Sequence, residues 1–189
     1  MRARARRLWR DCAGVAVVEF AIALPLLFAL YLFAYVLSDM ISAKRKVTVA
    51  ARELTDVTSR YVALSQSDAA TIMAAIAQEM YPYDTSKTQV RISEIELCPG
   101  GTSGKVVWSL ANANASALVV GSSVTLPSGL FSSTSPMVPA TSCGAGGYLV
   151  YGEVAYPYTP VIGYGPVSTI TFSDNALLLP RAATSIGLI

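Results

Sequence analysis

The sequence predicts an α+β protein with a long N-terminal helix that spans a membrane and continues as a stalk, a second short helix, and a C-terminal antiparallel β-sheet domain. Three observations predict this architecture. An apolar run lies near the N-terminus, a seven-residue apolar repeat follows it, and beyond Pro82 short β-branched and aromatic runs are divided by Gly, Ser and Pro clusters. The remainder after the helix, roughly residues 62–189, is long enough for one small domain.

The apolar run from Ala13 to Leu37 is the single transmembrane candidate, because as a helix it can cross a bilayer core of about 30 Å. We assign residues 15–38 to this span. Five basic residues precede the span: Arg2, Arg4, Arg6, Arg7 and Arg10. By the positive-inside rule they keep the N-terminus cytoplasmic, even though Lys44, Arg45 and Lys46 follow the span. A cleaved secretory signal is the alternative, but its apolar region is usually only about 7–15 residues long.

The helix is predicted to continue as a stalk over residues 39–64. Apolar residues recur there every seven positions in two interleaved series: Met40, Val47, Leu54 and Tyr61, and Ala43, Ala50, Val57 and Leu64. The charged residues at positions 44, 45, 52, 53 and 56 lie off this seam. Two interpretations stay open, since the seam would pack in a helical bundle of subunits or cover the protein's own sheet.

A second helix is predicted from about Asp68 to Met80, with Ser67 or Asp68 as its cap and Pro82 as its stop. Its apolar stripe consists of Ala69, Ile72, Ile76 and Met80. Strands are predicted near residues 90–97, 105–110, 117–126, 148–158 and 168–177, with a Ser-, Gly- and Pro-rich loop over 127–147. Residues 65–189 therefore form the predicted α+β domain outside the membrane.

The three cysteines fall on two sides of the predicted span. Cys12 precedes the span on the cytoplasmic side, whereas Cys98 and Cys143 lie beyond it in an oxidising compartment. A disulfide between Cys98 and Cys143 would close a loop of about 46 residues and add about 4 kcal/mol of stability. Two buried free thiols are the alternative. A metal site is disfavoured, because the chain has no histidine and no CxxC spacing.

The composition argues against catalysis and against nucleic-acid binding. Without histidine, the Ser-His-Asp and Cys-His mechanisms and most zinc hydrolysis lack their imidazole, so we predict a protein that is not an enzyme and needs no cofactor. The segment from Gly100 to Lys105 is better interpreted as a polar turn than as a phosphate-binding loop, because Pro99 and Val106 break the motif. Beyond residue 14, nine basic residues face eleven acidic ones, which gives no basic surface for nucleic acid.

The start of the apolar run carries a specific arrangement of residues. Gly14 is followed after four residues by Glu19 and Phe20, with a basic segment before and Pro25 inside the apolar helix after. This arrangement resembles the processing site of type IVb prepilins of the tight-adherence (Flp) system. In that family a membrane-embedded prepilin peptidase cuts after the glycine, and the glutamate becomes the fifth residue of the mature chain. The resemblance implies that residues 1–14 are a basic leader cleaved between Gly14 and Val15.

Further along the chain, the segments 150–160 and 179–181, together with the length and the continuing helix, look like the TadE-like pseudopilins or their close TadF-like relatives. Major Flp pilins are far shorter and lack a globular domain. The resemblance implies a pilin-like fold and a minor role in pilus assembly. The implied partners are the prepilin peptidase, other pilin and pseudopilin subunits, and the assembly platform of the bacterial inner membrane. The implied location is that membrane, with a cytoplasmic N-terminus and a periplasmic domain.

Glu19 needs an explanation, because a carboxylate inside a membrane helix costs up to about 3 kcal/mol. Cleavage would free an amine at Val15, and pairing of that amine with Glu19 of a staggered neighbour would set the register between subunits. A Glu19 that snorkels to the cytoplasmic interface is the alternative. Pro25 lacks a backbone donor and would kink or locally melt the helix, which helps it fit a bundle.

A second function from another class remains open. The chain would then be an ordinary single-pass membrane protein whose outer domain binds a ligand or an envelope component. The mass of the mature N-terminus distinguishes the two, since a start at Val15 supports the pseudopilin and an intact Met1 supports the alternative.

Overall fold

The computed structural model describes residues 13–131, 135–160 and 169–189. The architecture is α+β, as predicted, with a long helix α1 (Ala13–Thr58), a shorter helix α2 (Gln66–Gln78) and a C-terminal antiparallel sheet. The chain divides into two compact units between Ile41 and Ser42, so that α1 contributes to both. Residues 1–12 of the predicted leader 1–14, with the five arginines and Cys12, lie outside the described residues.

The first unit is the N-terminal part of α1. Its large apolar side chains are exposed on all sides of the helix, at Val15, Val17, Val18, Phe20, Ile22, Leu24, Leu26, Leu27, Phe28, Leu30, Tyr31, Phe33, Tyr35, Leu37 and Ile41. Among the described residues, α1 is the one helix long and apolar enough to cross a bilayer, and its most apolar stretch has a mean hydropathy of 2.4. A helix that is apolar all round requires a surrounding that is not water.

The described residues of the second unit form seven strands. In chain order they are β1 (Ala63–Leu64), β2 (Gln89–Leu97), β3 (Ser103–Ala111), β4 (Ser123–Thr125), β5 (Tyr148–Tyr158), β6 (Ile170–Leu178) and β7 (Gly187–Leu188). Five of them form one sheet in the order β4-β3-β2-β5-β6, and every neighbouring pair is antiparallel. The remaining two, β1 and β7, form a separate parallel pair.

One face of the five-stranded sheet packs on the second part of α1. Gly152 lies at this contact, because a Cβ added there would collide with Thr55 of the helix and approach the side chain of Leu54. The apolar helix residues that become completely buried are Ala43, Val47, Ala50, Ala51 and Leu54. Four of these belong to the predicted apolar seam, so the seam covers the protein's own sheet.

The opposite face of the sheet carries a smaller apolar cluster. Its buried members are Leu97, Leu126 and Leu149, and Phe131, Met137 and Leu177 pack around them. The predicted disulfide between Cys98 and Cys143 is present in the structure, and it ties the loop over 127–147 to the end of β2. The loop therefore covers apolar surface that the helix leaves open.

The stalk ends earlier than predicted, because α1 stops at Thr58 and not at residue 64. The Ser59 hydroxyl donates to the Asp56 carbonyl (2.7 Å), and the amides of Arg60 and Tyr61 turn back to Val57 and Thr58. Residues 63 and 64 then leave the helix to form β1, which pairs with Gly187 and Leu188. The local apolar period could not predict this strand, because the strand with which β1 pairs lies more than 120 residues away in the chain.

Two other predicted boundaries are also corrected. Helix α2 begins at Gln66, since Ser65 is its N-cap and accepts from the Asp68 amide (3.1 Å), and its buried stripe contains Met73 in place of Ile72. Of the predicted strand over 117–126, only β4 forms. A turn interrupts the rest, because Gly121 adopts φ +81° and the Ser122 amide donates to the Val119 carbonyl (3.0 Å). Residue 168, the predicted start of the last strand, lies outside the described residues.

Candidate functional site

The predicted cleavage bond, between Gly14 and Val15, lies in α1 at the start of the described residues. Among the described residues, apart from the chain neighbours of Gly14 and the adjacent helix backbone, no atom lies within 4 Å of the position that a Cβ on Gly14 would take. The Val15 side chain is 62% exposed. The bond is therefore accessible from the glycine side.

Glu19 is exposed and lies one helical turn after Val15, so the two residues share a face of α1. Val18 and Ile22 are the apolar neighbours of the carboxylate on that face. In the part of the chain that the structure describes, Glu19 forms no ion pair.

Phe20 and Pro25 follow on the same helix. Phe20 is 62% exposed. Pro25 lies inside α1, which is continuous on both sides of it, and the predicted kink stays a prediction. A proline removes one backbone donor, here the donor to the Ala21 carbonyl, and the many remaining hydrogen bonds of a long helix hold the conformation.

A polar contact that sequence reasoning missed attaches α1 to the edge strand β6. The carboxylate of Asp174 accepts from the Thr48 hydroxyl (2.5 Å) and from the Lys44 ammonium (3.4 Å), which also donates to the Ser173 carbonyl (2.6 Å). The hydrogen bond from Thr48, with a smaller contribution from Lys44, holds the pKa of Asp174 below its ordinary value. Lys44 therefore has a role in the fold besides its charge near the predicted span.

A second missed feature is a buried carboxylate on β2. Glu94 is 1% exposed, and it accepts from the Ile186 amide (2.6 Å) and from the Trp108 indole (3.0 Å). Burial raises the pKa of Glu94 above its ordinary value. The signal was present in the alternation Val90, Ile92, Glu94, because residues two apart share one face of a strand and the first two are apolar.

The outer face of the sheet also carries a polar cleft of about 280 Å³. Its floor contains the ion pair between Arg91 and Glu153, with 2.6 Å between Nε and Oε2, and Arg91 also donates to the Ser116 carbonyl (2.9 Å). Beside it, burial and the nearby Glu153 charge raise the pKa of Tyr151 to about 12. Within residues 13–131, 135–160 and 169–189, no three His, Cys, Asp or Glu side chains cluster as metal ligands.

An exposed apolar helix of this length, followed by a compact α+β domain, fits a membrane-anchored protein. Residues 14–55 match the family model for TadE-like proteins. The match is consistent with a TadE-like pseudopilin of the tight-adherence pilus system, and it confirms the predicted resemblance over this segment. No curated protein and no solved structure matches the chain.

The matched segment begins at Gly14 and ends inside α1. It includes Glu19, Phe20 and Pro25, and it contains none of the strands. The match therefore bears on the predicted anchor and processing site, whereas the sheet has to be interpreted from its own contacts.

Proposed function

We propose that the protein is a minor pilin-like subunit, a pseudopilin, that takes part in assembly of a bacterial tight-adherence (type IVb) pilus. The observation that carries this proposal is the TadE-like match over residues 14–55, which starts at the glycine of the predicted processing site. The role is structural and not catalytic. Its partners are the prepilin peptidase, other pilin and pseudopilin subunits, and the inner-membrane assembly platform.

The proposed location is the inner membrane, with residues 15–38 as the span, a cytoplasmic N-terminus and the domain over 65–189 in the periplasm. The exposed apolar surface of the first unit supports the span. The disulfide between Cys98 and Cys143 supports an oxidising compartment for the domain, because such bonds are rare in the cytoplasm.

Processing after Gly14 supplies the proposed assembly chemistry. Cleavage removes the basic leader and leaves a protonated amine on Val15, one helical turn from Glu19. In an apolar surrounding an ammonium and a carboxylate attract strongly. The exposed Glu19 accepts the Val15 amine of a staggered neighbour, and this pairing fixes the register between the two helices.

The first test is the substitution Gly14→Leu. Because a large side chain in place of the glycine would block the peptidase at the membrane edge, the variant should accumulate as a precursor that retains the leader, with about 1.7 kDa of additional mass from residues 1–14. Mass spectrometry of the membrane-extracted protein measures this additional mass. Gly14→Ala is the matched control and should be processed normally. Normal processing of Gly14→Leu would refute the prepilin assignment.

The second test is Glu19→Gln, which keeps the shape of the side chain and removes its charge. Membrane insertion and cleavage should persist while surface pilus yield falls at least severalfold, since the Val15 amine loses its ionic partner. Glu53→Gln, an exposed glutamate in the second part of α1, is the control. Wild-type pilus yield from Glu19→Gln would favour the snorkelling interpretation, and loss of cleavage would assign Glu19 to peptidase recognition.

The polar cleft around Arg91 and Glu153 favours the second candidate function, a single-pass membrane protein whose outer domain binds a ligand or an envelope component. The two candidates differ at the mature N-terminus. A chain that starts at Val15 supports the pseudopilin, and an intact Met1 supports the ligand-binding alternative. N-terminal sequencing of the protein from its native membrane separates them.

A further inference from the structure

The last residues of the chain form a strap across the domain, which we define as residues 179–189. The Arg181 amide donates to the Ser59 carbonyl (2.7 Å), and the Arg181 guanidinium pairs with Asp56 (2.9 Å). Further on, the amides of Gly187 and Ile189 donate to the carbonyls of Val62 (3.2 Å) and Leu64 (3.1 Å). The β1–β7 ladder has only two residues in each strand, so backbone pairing alone holds the strap weakly.

A buried anchor lies between these two attachments. Ile186 is 1% exposed; its amide donates to Oε1 of Glu94 (2.6 Å), and its carbonyl accepts from Nε1 of Trp108 (2.8 Å). The same indole N–H also reaches Oε2 of Glu94 (3.0 Å). Glu94, Trp108 and Ile186 therefore form a closed hydrogen-bonded group, and Ile186 enters it only when the strap is in place.

No cation compensates the charge of Glu94 in this group. The causes that act on its carboxyl are burial and the hydrogen bonds from Ile186 and Trp108. The charged residues of the surrounding elements have other partners or positions: Arg181 with Asp56, Arg91 with Glu153, and Lys105 opposite Glu96 in the strand register. An ionised carboxylate that is buried without a cation costs free energy, which a proton on the carboxylate relieves.

The geometry accommodates that proton. The Trp108 indole N–H can donate to the Ile186 carbonyl alone, at the shorter distance of 2.8 Å, and this leaves Oε2 of Glu94 free to carry hydrogen. Oε1 continues to accept from the Ile186 amide. Neutral Glu94 therefore retains its attachment to the strap and no longer buries a charge.

We propose that Glu94 is a proton-linked latch for the C-terminal strap, which closes most firmly when Glu94 is protonated and loosens as the carboxyl ionises. The inference concerns the domain alone and does not depend on the pilus role. Opening the strap would expose the Trp108 indole and the free edge of β1.

The direction of the pH dependence follows from linkage. With the strap open, Glu94 meets water and titrates near its ordinary value of 4.5, whereas burial in the closed strap raises its pKa. Below pH 4.5 Glu94 is protonated whether the strap is open or closed, and closure of the strap is at full strength. Between 4.5 and the raised pKa, closure weakens by up to about tenfold per pH unit, and above the raised pKa it is constant. The chain has no histidine to superimpose its own titration on this range.

Amide hydrogen exchange of the full chain in detergent tests the latch. The readout is the protection of the Ile186, Gly187 and Ile189 amides from pH 4.5 to 8, corrected for the intrinsic exchange rate. In the wild type, protection should fall several-fold as pH rises and then level off. Glu94→Gln should show weaker protection that does not change with pH, because one of its oxygens becomes an NH₂ group that faces a donor. Glu96→Gln, on the same strand, should retain the wild-type pH dependence.

A second variant keeps the proposal testable if Glu94→Gln does not fold. Trp108→Phe removes a donor that favours the charged form of Glu94, so the pH at which protection levels off should move upward. Protection in the wild type that is constant with pH, or that increases with pH, would overturn the latch. An unchanged pH dependence in Glu94→Gln would overturn it as well.

Discussion

The two parts of helix α1 use apolar residues in opposite ways. In residues 14–41 the large apolar side chains are exposed all round, and Leu30 is 56% exposed. In residues 42–58 the buried apolar side chains lie on one stripe that the sheet covers, and Leu54 is completely buried, whereas Val49 and Val57 are exposed. The comparison teaches that one continuous helix can be a membrane element in its first half and a core element in its second, because its surroundings change.

The charges mark the same division. From residue 13 to residue 38 the only charged residue is Glu19, whereas seven charged residues lie between residues 39 and 58: Asp39, Lys44, Arg45, Lys46, Arg52, Glu53 and Asp56. In the second half Lys44 and Asp56 have partners in the domain. Glu19 forms no ion pair within the described residues, which is why its partner is proposed to come from another subunit.

The largest expected difference between the two regions concerns cysteine. Cys98→Ser removes a disulfide between residues 45 apart, and the unfolding free energy of the domain should fall by about 4 kcal/mol, since the unfolded chain regains conformational freedom. Denaturant unfolding under non-reducing conditions measures it. Cys12→Ser, before the span, should leave that value unchanged. Equal stability of both variants would mean that the disulfide does not restrain the domain.

An intermediate effect is expected from a leucine pair on α1 itself. Leu54→Ala should destabilise the domain by about 3 kcal/mol, because it leaves a cavity between helix and sheet. Leu30→Ala removes the same atoms from an exposed site of the first unit and should not change the unfolding free energy of the domain. The same denaturation measurement applies to both. A large loss of domain stability in Leu30→Ala would contradict the division of the helix into two environments.

The smallest effect is expected at the contact between α1 and β6. Asp174→Asn removes a partly exposed ion pair and should cost about 0.5 kcal/mol at neutral pH. Since the pKa of Asp174 is lowered in the folded state, its contribution is present above the ordinary value of 3.8 and disappears as pH falls through the lowered pKa. The stabilities of wild type and variant, measured from pH 7 to pH 2, should therefore converge in acid. A difference that grows in acid would contradict this assignment.

Local patterns in the sequence predicted most elements correctly. The β-branched and aromatic content of residues 148–158 predicted β5 at its observed bounds, and the apolar seam through Val47 and Leu54 predicted the buried stripe of α1. The spacing of Gly14, Glu19 and Phe20 identified the segment that the TadE-like family model matches. These features depend on residues that are close in the chain, so a period or a short motif reveals them.

What the sequence alone determined about this protein is the apolar helix, the order of the two helices and of the five strands of the main sheet, and the TadE-like segment. What only the tertiary structure decided is where distant residues meet: the pairing of Ala63 with Gly187, the hydrogen bonds of Glu94 to Ile186 and Trp108, and the use of the seam by the protein's own sheet. The physical reason is that secondary structure follows the local hydrophobic period, whereas burial of a polar group or the end of a helix depends on partners that the chain brings together only when it folds.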